Sequence, residues 1–236
     1  MYNPEAYDAV SARSTSSVEV NTFIAKVYAW MTFALIVTAL VAMYIAVNPK
    51  LVKLILLSKP MFWGIIIGEL GLVFILSAFI NKMSAATATA MFVAYSAMNG
   101  LTLSVVFLAY TATSITSTFF ITAGTFGAMS LYGYFTKRDL TSIGNFCFMA
   151  LIGLIIATVV NIFWVNNMFS LIISCVGVLI FVGLTAYDTQ KIKALGATVN
   201  EASEEGRKGA IMGALALYLD FINLFLMLLN LLGDRK

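Results

Sequence analysis

No charged side chain occurs from Ala85 through Thr136, nor from Leu140 through Tyr187. One bilayer crossing by an α-helix takes about 20 predominantly apolar residues, so each of these runs is long enough to cross more than once. The rest of the chain agrees: 61% of residues are hydrophobic and 11% charged, against about 25% charged in a soluble globular domain. Backbone amides in hydrocarbon must be satisfied within their own segment, which leaves helices as the solution for runs of this kind. The expected fold class is an all-α integral membrane protein, and the lipid bilayer is its first partner.

Charge, proline and polar clusters cut the apolar sequence at Asn48-Pro49-Lys50, Lys59-Pro60, Asn81-Lys82, Lys137-Arg138-Asp139, Asn166-Asn167 and Lys191 to Lys208. With a further division at Thr111, Thr113, Ser114 and Thr116, seven segments result: 24–47, 61–80, 85–109, 114–136, 145–165, 168–190 and 209–232. Residues 22–236 therefore read as a seven-helix transmembrane domain. Residues 1–21 are polar, carry Glu5, Asp8 and Glu19, lack the basic-then-apolar pattern of a cleaved signal, and read as a disordered cytoplasmic tail. Gly64 and Gly68 make a G-x-x-x-G spacing suited to close helix packing inside one bundle.

Seven crossings place Arg13, Lys26, Lys82, Lys137, Arg138, Lys191, Lys193, Arg207 and Lys208 on the N-terminal side, and Lys50, Lys53, Lys59, Arg235 and Lys236 on the other. Basic residues are retained in the cytoplasm, so nine against five predicts a cytoplasmic N-terminus. The modest formal charge of +3 is spread over loops and gives no surface for nucleic acid. Cys147 and Cys175 lie in apolar segments without metal or redox spacing and read as buried fillers.

Three acids stand at membrane depth: Glu69 midway along the second segment, Asp188 at the end of the sixth, and Asp220 about half-way through the seventh. An ionised carboxylate in hydrocarbon must neutralise, find a partner or line a wet cavity. In this topology Asp188 and Asp220 share the cytoplasmic half and can approach each other. Two adjacent carboxylates in low dielectric do not easily both ionise, so they titrate as one coupled unit. The chain has no His, which leaves such a pair as its means of sensing pH near neutrality. Deprotonated, the same oxygens suit a hard cation such as Ca²⁺. Tyr187, Tyr218 and Asn223 are the polar groups placed to support the pair, and Glu69 is a candidate for lining a pore or binding an ion. No cofactor is expected beyond Ca²⁺ as the permeant ion.

The stretch Gly183-Leu184-Thr185-Ala186-Tyr187-Asp188-Thr189-Gln190-Lys191-Ile192-Lys193, followed by Leu217-Tyr218-Leu219-Asp220-Phe221-Ile222-Asn223-Leu224-Phe225, resembles the signature of the Bax inhibitor-1 family. Glu69, the Thr136-Lys137-Arg138-Asp139-Leu140 stretch and the closing Leu231-Leu232-Gly233 extend the likeness over most of the chain. The resemblance implies a seven-helix bundle with the last helix central, and a calcium leak controlled by the aspartate pair, here Asp188 and Asp220. It also implies residence in the cytoplasmic, or inner, membrane of a bacterium. In the bacterial relatives a basic latch closes the pore from the cytoplasmic end of the second helix. Here that position holds Ile80, and Lys82, two residues on, is the substitute latch; an ammonium lacks the planar fork that grips two carboxylates.

Two other functions fit the residues. A membrane regulator that binds other membrane proteins would use the acids for assembly alone. An intramembrane aspartyl protease would also pair Tyr-Asp in one helix with Asp in the next, but the Gly-x-Gly and Pro-Ala-Leu of those enzymes are missing here. Without His there is neither an H-E-x-x-H zinc site nor a Ser-His dyad, and the chain is read as a non-enzyme.

Overall fold

The computed structural model describes residues 4–236, with side chains from residue 18 onward. Among the described residues the chain forms eight α-helices and one short 3-10 turn. They are α1 (Pro4–Ala46), α2 (Pro49–Ile55), α3 (Lys59–Phe79), α4 (Ala85–Ala109), α5 (Ala112–Phe135), α6 (Thr141–Phe163), α7 (Asn167–Gly196) and α8 (Glu204–Leu232), with the 3-10 turn at Ile80–Lys82. Each expected segment is a helix. The short α2, between the two proline cuts, was not foreseen. Helix α1 is continuous through residue 21, so the expected tail boundary is not a helix end; most of that tail lies outside the residues whose side chains are described.

The breaks follow from local chemistry. Ser84, Thr111, Asn166 and Ser203 are extended residues whose side chains accept the amide hydrogens of Thr87, Ser114, Phe169 and Gly206, satisfying donors that a new helix leaves unpaired. Pro49 and Pro60 stand in the first turns of α2 and α3, where a missing N–H costs nothing. The division at Tyr110–Thr111 thus needs no charge: a threonine cap restarts the chain as α5.

Six helices are long and apolar enough to cross a membrane: residues 18–46 of α1, α3 with its 3-10 turn, α4, α6, α7 and α8. Helix α5 has 24 residues and no charge, and falls outside that set because Ser, Thr and Gly dilute its hydropathy. Those small polar residues face inward, with Ser114, Thr118, Thr122 and Ser130 all buried, and Thr122 returns its hydroxyl to the Thr118 carbonyl at 2.7 Å. Large apolar side chains face outward: Phe120, Leu131, Ile152, Leu179 and Phe74 are all more than half exposed. Such a belt is what a bilayer covers.

Helix α8 is the axis of the bundle. It packs against α1, α4, α5 and α7 and buries side chains on every face, among them Ala214, Leu217, Tyr218, Asp220, Phe221 and Leu224. A helix buried all round is a core element. Helices α3 and α6 lie at the periphery, with two and three buried residues respectively. The small residues that matter for packing are not the G-x-x-x-G pair: Gly64 has open space beside it and Gly68 meets only the end of Met98. Instead Gly133 of α5 sits directly on the backbone carbonyl of Ala186 in α7.

A methyl group at Gly133 would collide with backbone that cannot rotate away, so Gly133→Ala should lower stability by about 1–3 kcal/mol, the range for overpacked cores. Gly124→Ala, which adds a methyl to open space, should be neutral or slightly stabilising. Unfolding of both variants in detergent, followed by circular dichroism, tests the contrast; equal stabilities would contradict this packing.

Candidate functional site

The sequence places Asp188 at the end of its segment unless snorkelling of Lys191 and Lys193 lets the helix run on, and in the structure it runs on. Helix α7 continues to Gly196, which puts Asp188 eight residues, or about 12 Å at ~1.5 Å per residue, inside its end. The extension is held by the lysines that follow. Lys193 donates from Nζ to the Tyr134 carbonyl at 2.7 Å and lies 4.5 Å above the Tyr134 ring, while Lys191 stands 6.0 Å over the ring of Tyr187. Lys193 is half-buried against its aromatic ring, while Lys191 stays exposed above the other.

Asp220 lies sixteen residues into α8, roughly 24 Å along its axis, and is 4% exposed. The carboxyl groups of Asp188 and Asp220 are within hydrogen-bonding reach of each other. The expected pair is therefore formed, joining α7 to α8. Asp220 is enclosed, with its Oδ2 buried and without a hydrogen-bond partner, whereas Asp188 is half-buried. Two such carboxyls can be close only when they share at least one proton or hold a cation between them.

Three neighbours of the pair were not assigned to it from sequence. Cys147 of α6 is buried beside Asp220 and occupies the notch left by Gly183 of α7. Lys191, one turn beyond Asp188, is the basic residue whose charge acts on it. Gln190 pins the α5–α6 connection: its Oε1 accepts from the Leu140 amide at 2.9 Å and its Nε2 donates to the Arg138 carbonyl at 2.8 Å. Within that connection Asp139 accepts from the Thr141 amide (2.9 Å) and hydroxyl (2.6 Å), and these bonds hold its carboxyl below the usual carboxylate range. Gln190 lies in the motif that carries the family resemblance, but only tertiary contact reveals its task.

The other expected site residues go elsewhere. Tyr218 does not touch the pair: its hydroxyl donates to Thr38 Oγ1 of α1 at 2.7 Å, and Thr38 in turn donates to the Ser96 carbonyl of α4 at 2.8 Å. Its ring meets Phe92 and Tyr95 edge-on at 5.9 and 6.0 Å. Asn223 donates to the Leu219 carbonyl of its own helix at 2.8 Å, and the Tyr187 ring packs over Gly144 of α6. All three build the frame. Glu69 belongs to a second polar cluster between α3 and α4, where it accepts from Thr102 Oγ1 at 2.9 Å. Asn99, on the same face of α4, has a buried side-chain oxygen without a partner. Lys82 is exposed and stacks on Phe79 of its own segment at 5.4 Å. Among the described residues the ion pair is Arg207–Glu204 at 3.4 Å, so Lys82 is not joined to either aspartate here. Cys175 is exposed, not a buried filler.

Tyr218→Phe removes one buried hydrogen bond while Thr38 keeps its bond to Ser96, so the loss should be about 1 kcal/mol. Chemical unfolding of the purified protein measures it, and a loss several times larger would mean that the Tyr218 hydroxyl holds more than Thr38.

Comparison with known proteins agrees with this architecture. The family model described as inhibitor of apoptosis-promoting Bax1 matches residues 20–236. The chain is 50% identical over 229 residues to the inner membrane protein YbhL of Escherichia coli, covering 95% of this chain and 98% of that one. It is 46% identical over 217 residues to an uncharacterized protein of Borreliella burgdorferi, covering 92% and 93%. With a protein of Deinococcus radiodurans it shares 44% identity over 218 residues, 92% of each chain. An all-helical bundle with membrane-crossing helices, matched from residue 20 to residue 236, makes this chain a membrane protein of the Bax inhibitor-1 family.

Proposed function

We propose that the protein is a pH-sensitive calcium leak channel gated by the coupled pair Asp188 and Asp220. The observation that carries this reading is the meeting of the two carboxyls, one on the axial helix α8 and one on α7, with Asp220 closed off from solvent. When the pair holds one proton, the shared bond is of the charge-assisted kind, among the strongest hydrogen bonds available to side chains. It clamps α7 to α8. A second proton removes the charge, weakens the clamp and lets the helices part.

The charged and titratable groups facing the pair are few: Lys191 on α7 and Cys147 on α6. Gating rests with the aspartates themselves, modulated by Lys191. The pair offers at most four oxygens, and among the described residues no cluster of three or more acidic or cysteine ligands gathers. Ca²⁺ takes roughly six to eight oxygen ligands, so the pair is too small a ligand set to hold the ion as a resident cofactor, and its part in the leak is that of a gate.

Ca²⁺ flux into liposomes containing the purified protein should rise as pH falls across about pH 5 to 8, the window in which protein switches operate. Asp220→Asn and Asp188→Asn should remove or shift that dependence, because an amide can donate to the remaining carboxylate but cannot titrate. A flat profile shared by parent and variants would overturn the channel and leave the acids to assembly of a membrane regulator. Cleavage of a helical substrate abolished by either variant would favour an aspartyl protease.

The same reading has α5 crossing with the six more apolar spans, the N-terminus in the cytoplasm, and the protein in the cytoplasmic membrane of a bacterium. Likeness to an inner membrane protein and the nine-to-five excess of basic residues on the N-terminal side support it. A membrane-impermeant thiol reagent applied to intact cells should label a cysteine placed at Asp234 and spare one placed at Glu201. The reverse pattern would invert the topology.

A further inference from the structure

Helices α4 and α5 are joined by a two-residue turn at Tyr110–Thr111, yet they do not close against each other along their length. Between them, with α1 as a side wall and α8 as the floor, lies a cleft of about 320 Å³. Its walls include Leu35, Ala39, Leu103, Phe107 and Phe119, and Phe225 of α8 lies at the bottom. The mouth opens sideways, where Phe120, 68% exposed, continues the lipid-facing belt. Water is a poor occupant: a cavity so lined offers it almost no hydrogen bonds, and apolar cavities stay dry. At this depth the medium outside the mouth is hydrocarbon.

The end of the cleft nearest the α4–α5 turn is cationic. There the chain after α8 folds over the turn. The Thr111 amide donates to the Asp234 carbonyl (3.1 Å), the Asp234 amide to Ser114 Oγ (2.9 Å), and the Lys236 amide to the Ala109 carbonyl (2.9 Å). Lys236 Nζ reaches the Phe107 carbonyl at 2.8 Å, directly on the cleft wall. The Arg235 guanidinium lies 5.8 Å over the Tyr110 ring and bonds Asn230 at 3.0 Å. Both cations are exposed, as is Asp234, the one acidic side chain of the strap, whose carboxyl faces Ser114. An apolar trough that ends under two exposed cations has the polarity of an amphiphile with an anionic head.

We infer that this cleft is a phospholipid site, with one acyl chain lying between α4 and α5 against α8 and the lipid phosphate held by Arg235 and Lys236. Lys236 has two further N–H donors beyond its bond to Phe107, and Arg235 keeps donors beyond its bond to Asn230, so both can serve a phosphate without releasing the strap. The assignment is independent of the proposed leak, since it uses neither aspartate.

Quenching of tryptophan by phospholipids brominated in mid-chain tests it. Trp30, Trp63 and Trp164 would be replaced by Phe, and a single reporter introduced by Phe225→Trp at the cleft floor. Leu179→Trp on the lipid-facing surface and Phe92→Trp in the core serve as controls. In brominated vesicles Phe225→Trp should be quenched like the lipid-facing control, and adding Ala39→Phe, which fills the trough, should reduce that quenching toward the core control. Quenching of Phe225→Trp no greater than that of Phe92→Trp, in a protein with native circular dichroism, would overturn the site. In detergent with limiting brominated phospholipid, Arg235→Gln with Lys236→Gln should weaken quenching, while quenching by a brominated uncharged alkyl chain should be unchanged. Equal loss with both probes, or loss with neither, would overturn the role given to the phosphate.

Discussion

A carboxyl group enclosed in a helical membrane bundle must take up a proton or find a partner, because leaving it charged and alone costs several kcal/mol or more. Asp220 stands under that constraint at the middle of the most buried helix, and the structure meets it with Asp188 from the neighbouring helix. Much of the local architecture serves this meeting. Helix α7 runs on past its apolar stretch so that Asp188 lies inside it; Gly183 makes room for Cys147 against Asp220; and Gly133 lets α5 press onto the backbone of α7 one residue before Tyr187. The extension sets the depth of Asp188, and the two glycines seat α7 against α5 and α6 around the pair.

The remaining buried polarity is shared out between other helix pairs. Tyr218, Thr38 and the Ser96 carbonyl form a chain of hydroxyls linking α8, α1 and α4, and Glu69 with Thr102 links α3 to α4. In lipid there is no hydrophobic drive between helices, so packing and such interhelical bonds supply cohesion. The hydroxyl chain has every donor used, while Asp220 Oδ2 and the Asn99 side-chain oxygen lack partners.

The sequence made the positions of the helices legible because in membrane proteins charge and proline mark the loops directly, and helix breaks at Asn48-Pro49 and Asn166 fell where polarity required them. It was less informative where a helix leaves the hydrocarbon. Lys191 and Lys193 mark a cut in charge but are long enough to snorkel, and only the structure shows Tyr187 and Tyr134 beneath their charges while the helix continues. For α5, the Ser and Thr residues that lower its hydropathy are the ones that turn inward, which composition alone does not reveal. The aspartate pair was readable from depth and residue type. The roles of Tyr218, Asn223 and Lys82 were not, because which face a side chain takes, and whether it bonds its own helix, is decided by neighbours distant in the chain.

The position of α8 in the chain carries a consequence for biogenesis. The helix around which the others are arranged is synthesised after all of them, so the earlier helices enter the bilayer before their common surface exists. Until then Thr38, Thr118 and Thr122 must each satisfy their hydroxyls on nearby backbone, as Thr122 does with Thr118. Pairs such as α1 with α4 and α5 with α7 can already pack on each other, and α8 then joins them around one axis.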